Sequence, residues 1–274
     1  MPVISTNTAA NSAVRYLNLN AAEESKSLSK LASGSRITQA SDDAAGLAIS
    51  TKISSDVSTL QQAATNASHG VSILQTADGG ASNISDILVR MKSLATEAAS
   101  GTVTDTERAY IDAEFSQLID QVDTIATGTR YNGVSLLDGS SDFAAGTDIV
   151  VGSDASDSIT VQIDALDATT LAIASLTVDS QASAETSLTA LTAAIDTVSS
   201  ARANIGALES RFEFTSNSIA SSIENLSAAN SAIADVDVAT EEASLASSQV
   251  KVQAAVAAAS QANQMTQDLL KLMQ

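Results

Sequence analysis

Apolar residues recur at spacings of three and four over most of the chain, and this period predicts long amphipathic helices. The first helix is predicted over about residues 5–33, with Ser5 or Thr6 as its N-cap and Gly34 at its end. One of its faces has the spacing of a coiled-coil seam and carries Val14, Leu17, Ala21, Glu24, Leu28 and Leu31. This narrow face requires a partner helix.

A second, very long helix is predicted to begin at Ser41, where Asp42 and Asp43 complement the positive end of the helix dipole. Its apolar residues keep a heptad spacing until a change of register, and the pattern ends before Gly101. Gly79 and Gly80 mark the place where this very long helix could kink.

A third helix is predicted from the capping box formed by Thr104 and Glu107, and Gly128 is expected to end it. After it the period of the pattern changes from helix to strand. Residues 149–151 and 159–163 are β-branched or alternating and flank a turn rich in Gly, Ser and Asp, so they predict a β-hairpin.

From about residue 182 onward the apolar heptads resume and predict another helix of roughly fifty residues, about 75 Å long. Thr240, ahead of two glutamates, is the expected cap of a last helix. Its seam residues are predicted to be Val252, Val256, Ala259, Asn263, Thr266, Leu270 and Met273. The first and last helices therefore mirror each other.

Together these elements predict a mainly α fold. We expect a long antiparallel helical coiled-coil bundle with a small β-hairpin region, in which the N- and C-terminal helices pair. Residues 1–42 plus 235–274 are predicted to form a discontinuous terminal coiled-coil domain. Residues 43–234 are predicted to form a helical bundle domain with the hairpin at about 140–180.

The two terminal helices offer narrow apolar stripes that hardly offset the entropy of ordering them, so their folding should be coupled to assembly with other copies. A head-to-tail contact that does not close produces an open helical filament. The predicted self-assembly seam contains Val14, Leu17, Leu28, Leu31, Val252, Val256, Leu270 and Met273.

The last helix carries a second, polar stripe. It contains Gln253, Ser260, Gln264, Gln267 and Lys271, which recur at helical spacing. One interpretation is ordinary solvent exposure. The other is a wet, nearly uncharged wall inside a tube, along which an unfolded chain could slide.

Composition argues against an enzyme. The chain has no cysteine and a single histidine, His69, so thiolate chemistry, disulfides and a His-based metal site have little to build on. We expect no cofactor, no metal and no catalytic residues.

The charge and hydropathy of the chain also exclude two kinds of partner. The net charge of −19 disfavours binding to nucleic acid, and the longest apolar run, residues 254–259, is too short for a membrane span. The N-terminal sequence also lacks the pattern of a cleavable signal peptide.

Three features could carry chemistry but have simpler explanations. Asp42 and Asp43 are neighbours on a helix start and point in different directions, which favours a capping role. The GSDASDS turn resembles a calcium loop only in composition, because it lacks the ligand spacing of an EF-hand. His69 lies in the long second helix and is interpreted as a surface or seam residue.

Several segments resemble bacterial flagellin. The most specific is LSKLASGSRITQASDDAAGLAIS, from Leu28 to Ser50, and TRYNGVSLLDG is similar to a following family segment. Near the other end, RANIGALESRFEFTSNSIASSIENLSAANSAIADVDVATEEASLASSQV and QANQMTQDLL are similar to the C-terminal half of the family. The hairpin region leads almost at once into the long C-terminal helix, so the chain resembles a minimal flagellin without the outer variable domains.

This resemblance implies a structural subunit that polymerises into the tubular flagellar filament, the extracellular propeller for swimming motility. It also implies export through the flagellar type III apparatus with a chaperone and without a cleavable signal, and contact with filament-cap and hook-junction proteins. Flagellins that activate a Toll-like receptor present an Arg, a Leu and a Glu, and Arg90, Leu94 and Glu114 occupy those motif positions here.

Two other functions share part of this pattern. A hook–filament junction protein would have the same terminal helices. A chemoreceptor-like signalling coiled coil would share the Ala-Ser-Glu heptads, but it predicts an uninterrupted helical hairpin without strands, and soluble dimers or a membrane span.

Overall fold

Helices make up most of the chain. The computed structural model describes the backbone of residues 6–272 and the side chains of residues 6–268. Its helices are α1 (Thr8–Ser33), α2 (Ala44–Ala98), α3 (Asp105–Gly128), α4 (Asp142–Ala145), α5 (Gln181–Ala234) and α6 (Val238–Leu272). Its short strands are β1 (Arg130–Tyr131), β2 (Val134–Ser135), β3 (Thr147–Val150) and β4 (Ser158–Val161). The predicted helical fold with a small hairpin region is confirmed.

The first helix begins slightly later than its pattern predicted. Its N-cap is Asn7, whose Oδ1 accepts a hydrogen bond from the amide of Ala10 at 3.0 Å. The expectation that Thr6 caps the helix is therefore wrong, and Ser5 lies outside the described residues. Gly34 ends α1 as predicted, with a φ of 70° that a residue without a Cβ adopts freely.

The second helix is capped by Asp43. Its Oδ1 accepts from the amide of Gly46 at 2.8 Å, so the predicted start at Ser41 is two residues early. The helix then continues without a break through Gly79 and Gly80. A Cβ on Gly80 would lie 2.8 Å from Cδ1 of Leu137, so glycine is required there by close packing.

The third helix and both hairpins follow the local sequence signals. Thr104 and Glu107 form the predicted capping box, and α3 ends at Gly128. The turn between β1 and β2 places Asn132 at a φ of 50° and Gly133 at 83°, the left-handed region that favours these residue types. Strands β3 and β4 pair antiparallel, which confirms the predicted β-hairpin.

The start of the last helix differs from the prediction. Asp237 is its cap, because Oδ1 of this residue accepts from the amides of Ala239 at 3.0 Å and Thr240 at 3.3 Å. Thr240 lies inside the first turn, and its hydroxyl donates to Asp237 Oδ2 at 2.7 Å. Aspartate accepts two orphan amides at once, which explains why it replaces the expected threonine.

The chain divides into two compact units. Unit 1 consists of the described parts of Met1–Ser55 and Asn225–Gln274, and unit 2 of Asp56–Glu224. Of the 39 buried apolar residues in the described part of the chain, all but Ile37, Ala255 and Ala262 belong to unit 2. Unit 2 therefore holds the apolar core. The division of function between residues 1–42 plus 235–274 and residues 43–234 stays a prediction.

Candidate assembly surface

Helices α1 and α6 lie side by side in opposite directions. Near the start of α1, the side-chain amide of Asn7 donates to the carbonyl of Ala262 at 2.9 Å. Near its end, the ammonium of Lys30 lies 3.4 Å from the carboxylate of Glu241, close to the start of α6. The predicted pairing of the N- and C-terminal helices is thus present within a single chain.

The two helices contact each other through one stripe each, which we call the inner stripe. In α1 it consists of the buried or half-buried residues Ala10, Ala13, Leu17, Asn20, Glu24, Ser27 and Leu31. In α6 it consists of Leu245, Ser248, Val252, Ala255, Ala259, Ala262 and Thr266. Both stripes have the heptad spacing of three and four. Because most of these side chains are small or polar, the pair buries little apolar area of its own.

Part of the predicted self-assembly seam lies in this inner stripe. Leu17, Leu31 and Val252 are half-buried there between the paired helices. The side chain of Leu270 and the whole of Met273 lie outside the described residues. These five residues therefore cannot be counted as surface that a single chain offers to another copy.

The other predicted seam residues are exposed in the single chain. Val14 is 46% exposed, Leu28 is 58% exposed and Val256 is 52% exposed. They belong to a second set of exposed apolar side chains on the same two helices, which we call the outer stripe. The outer stripe consists of Val14, Tyr16, Leu19 and Leu28 of α1 and Val250, Val256 and Met265 of α6.

Exposed apolar side chains are concentrated in unit 1. Nine of the fourteen large exposed hydrophobic residues in the described part of the chain lie there, although this unit contains only three of the buried ones. Val14 and Tyr16 are two residues apart and so lie on different sides of α1, but together these residues are an unusual concentration of exposed apolar side chains, which marks an interaction surface. The outer stripe is therefore the candidate functional site, a surface that can be buried in contacts with other copies of the chain.

Sequence reasoning missed Tyr16, Leu19, Val250 and Met265. They stand outside the predicted heptad seam, so each was treated as an isolated surface residue. A signal was present, because Tyr16 and Leu19 are three apart and so share a helix face.

The predicted polar stripe of α6 is exposed where the structure describes it. Gln253, Ser260, Gln264 and Gln267 are all exposed, and the side chain of Lys271 lies outside the described residues. Between Lys251 and Asp268 the sequence of α6 contains no charged residue. The arrangement leaves a continuous uncharged polar surface beside the outer stripe.

An ion pair and side-chain hydrogen bonds hold the turn that follows α1. The ammonium of Lys26 lies 2.7 Å from the carboxylate of Asp42, and this contact lowers the pKa of Asp42 from 3.8 to about 2. The guanidinium of Arg36 donates to the carbonyl of Ile233 at 2.8 Å and 3.1 Å. Asp42 and Asp43 thus serve the turn and the helix start, as the sequence indicated.

The three receptor candidates occupy two different environments in unit 2. The guanidinium of Arg90 donates to the carboxylate of Glu114 at 2.6 Å and 3.0 Å, and both side chains are about half exposed. Leu94 is 2% exposed and lies in the core. Only Arg90 and Glu114 therefore offer accessible atoms, and the receptor role of the three residues stays a prediction.

The remaining chemical candidates have structural contacts. His69 is exposed, and its Nδ1 lies 3.2 Å from the hydroxyl of Tyr131. In the GSDASDS turn, Oδ2 of Asp157 accepts from the amide of Asp154 at 3.4 Å. No group of three or more His, Cys, Asp or Glu side chains within the described residues is arranged to hold a metal ion.

Comparison with known proteins agrees with this architecture. The family models described as bacterial flagellin N-terminal helical region and C-terminal helical region match residues 4–142 and 188–273. The chain is 33% identical to a flagellin of Halalkalibacterium halodurans over 273 residues, with 99% of each chain covered. It is 35% identical to the flagellar filament 30.7 kDa core protein of Treponema maltophilum over 285 residues, again with 99% of each covered.

A solved structure is also similar. The crystal structure of Bacillus cereus flagellin matches with a TM-score of 0.50 and 35% identity, covering 57% of this chain and 88% of that chain. The likeness thus extends to both terminal regions, to the full length of relatives and to the fold. This chain belongs to the bacterial flagellin family.

Proposed function

We propose that this chain is the structural subunit of a bacterial flagellar filament and polymerises through its paired terminal helices. The observation that carries the proposal is the outer stripe, an apolar surface that a single chain leaves uncovered. Burying it between copies contributes about 25 cal/mol per Å² of apolar area. The inner stripe supplies little such area, so stability of unit 1 and assembly are linked.

The two alternative functions are not favoured. A signalling coiled coil predicts a helical hairpin without strands, whereas β3 and β4 interrupt the helices here. None of the helices within residues 6–272 combines the length and apolar content that a membrane span requires. A hook–filament junction role has less support, because relatives matched over 99% of this chain carry flagellin and filament-core names.

Within the filament, we place residues 1–42 plus 235–274 in the core. The exposed seam residues Val14, Leu28 and Val256 are then buried between copies, and we propose the same for Leu270 and Met273. The polar stripe of α6, with Gln253 and Gln264 as examples, faces the lumen, which is supported by its exposure and by the lack of charge along that segment. An uncharged hydrated wall offers no strong attachment to a passing unfolded chain.

Binding partners other than copies of this chain are inferred from its membership of the flagellin family. We propose an export chaperone, the flagellar type III apparatus, a filament cap and hook-junction proteins, with an extracellular location and no cleavable signal peptide. N-terminal sequencing of protein from filaments tests the last point. We propose no catalytic activity, since the family is structural and the candidate site is an apolar surface.

Recognition by a Toll-like flagellin receptor is proposed for the exposed pair Arg90 and Glu114. Leu94 would act by supporting the helices beneath them, because its side chain is buried. A cell reporter assay compares wild-type monomer with Arg90→Ala and Glu114→Ala. A silent wild-type protein, or variants with a full response, would remove this proposal.

Electron microscopy of the purified chain tests the main proposal. We expect long tubes of uniform width above a critical concentration, and none from a variant that lacks residues 238–274. Unit 2 retains its core in that variant, so its helical signal in circular dichroism should persist. Soluble dimers as the only product of the intact chain would contradict the filament function.

A further inference from the structure

A groove runs along one side of the α1–α6 pair, within unit 1. It has a volume of about 840 Å³ and is open to solvent. Lys26, Ser27 and Lys30 line it from α1, and Ser248 and Lys251 are among the residues that line it from α6. Most of the residues that line the groove are polar or charged.

Charged residues of both signs line this groove, three lysines and the two glutamates Glu23 and Glu241. The chain has six lysines, and Lys26, Lys30 and Lys251 all line the groove. Two of them already have partners within the chain, since Lys26 contacts Asp42 at 2.7 Å and Lys30 contacts Glu241 at 3.4 Å. Lys251 is exposed and forms no ion pair or hydrogen bond within the described residues. Its ammonium is available to an external acceptor.

A second donor beside Lys251 also lacks a partner. Ser248 is only 5% exposed, and among the described residues no hydrogen-bond partner of its hydroxyl is found. Ser248 and Lys251 are three residues apart in α6 and so share one face of the helix. Glu23 lines the groove from α1 without forming an ion pair with Lys251. An acceptor from outside the chain that enters the groove can therefore accept hydrogen bonds from both donors.

We propose that in the filament this groove receives a carboxylate side chain of a neighbouring copy, which accepts hydrogen bonds from Lys251 and Ser248. The inference rests on the proposed filament function. Charge complementarity identifies the occupant, because each copy carries 32 acidic residues and 13 basic ones. Lys251 directly follows Val250 of the outer stripe, so a copy that covers Val250 brings its own side chains close to Lys251. This contact would fix the relative orientation of two copies in an otherwise apolar interface, because hydrogen bonds to charged groups depend on geometry.

Charge reversal tests the role of Lys251. We expect Lys251→Glu to raise the critical concentration for polymerisation about tenfold or more, whereas Lys251→Arg stays within about twofold of wild type. Lys92→Glu is the matched control, because Lys92 also lacks an ion pair among the described residues but lies in unit 2. Circular dichroism of the monomers should be the same for all four proteins. Wild-type polymerisation of Lys251→Glu would overturn the proposal.

Cross-linking tests the contact in the unaltered protein. Filaments grown from a mixture of ¹⁴N and ¹⁵N chains are treated with a carbodiimide, which joins an ammonium to a carboxylate in contact with it. We expect peptides that link Lys251 of one isotope to Asp or Glu of the other. If Lys251 is linked only within one isotope, or not at all, the proposal is wrong. Since the filaments must form first, this failure is distinct from failure of the filament function.

Discussion

Replacing Leu28 by aspartate should leave the single chain folded but prevent polymerisation. Leu28 is 58% exposed in the single chain, so the substitution there changes stability by no more than about 0.5 kcal/mol. In the filament the same position is expected to be buried between copies. Assembly is then weakened in two ways, by the loss of apolar contact and by the burial of a charge.

The size of the effect follows from these two losses. Full burial of a leucine contributes about 1.5–3 kcal/mol, so covering the exposed part of Leu28 contributes roughly 1–2 kcal/mol. Burying a polar group without a partner costs about 2–7 kcal/mol more, and a charged carboxylate costs more still. Together these terms exceed about 3 kcal/mol per subunit, which raises the critical concentration more than about a hundredfold.

Sedimentation and electron microscopy measure polymer, and thermal unfolding followed by circular dichroism measures the monomer. Val89→Asp is the matched control, because Val89 is 57% exposed but lies on α2 in unit 2. We expect it to polymerise almost normally. Filaments from Leu28→Asp at the wild-type critical concentration would refute the argument, and so would an equal loss of polymer in both variants.

Further predictions concern caps, pH and exposure. Thr104→Ala removes the capping box and should lower the free energy of unfolding of the monomer by about 1 kcal/mol, measured by chemical denaturation. Burial, followed by Asp78 and Glu213, raises the pKa of Glu209 above 4.5, so ionised Glu209 destabilises the fold. Glu209→Gln should therefore be stabilising at pH 7, with a difference from wild type that shrinks below about pH 4.5 in denaturation experiments. Intact filaments should be cut by protease first within residues 140–200, which carry nine acids and no base, before the terminal forty residues.

The sequence was sufficient to predict the elements but not the faces of the terminal helices. Alanine makes up much of the apolar fraction of the chain, and it fits equally well in a contact and on a surface. The predicted seam consequently joined Leu17 of the inner stripe with Val14 and Leu28 of the outer stripe. The inner-stripe residues of α1 are distinguished from the outer-stripe residues only by the packing of α6 against α1. That packing depends on contacts between residues far apart in the sequence.

The N-cap residues of the helices were also only partly predictable from the sequence. The starts of the five long helices were predicted to within a few residues, because Ser, Thr, Asn and Asp cluster there, whereas the short helix α4 was not predicted. Which member of the cluster caps the helix depends on backbone geometry that a single sequence does not contain. Asn7 and Asp237 replaced the expected residues in this way. The capping box at Thr104 was predictable because its two partners stand at a fixed spacing and satisfy each other.

The distribution of buried residues separates two sources of stability in the chain. Unit 2 keeps large buried side chains such as Phe115, Phe212 and Leu88 together, so it has an apolar core of its own. Unit 1 has an inner stripe of mostly small and polar side chains, and nine of its larger apolar residues are exposed. A subunit built in this way can keep one part folded before assembly while the other part gains most of its burial from neighbouring copies. Substitutions in the core of unit 2 should therefore act first on the monomer, whereas substitutions in the outer stripe should act first on the polymer.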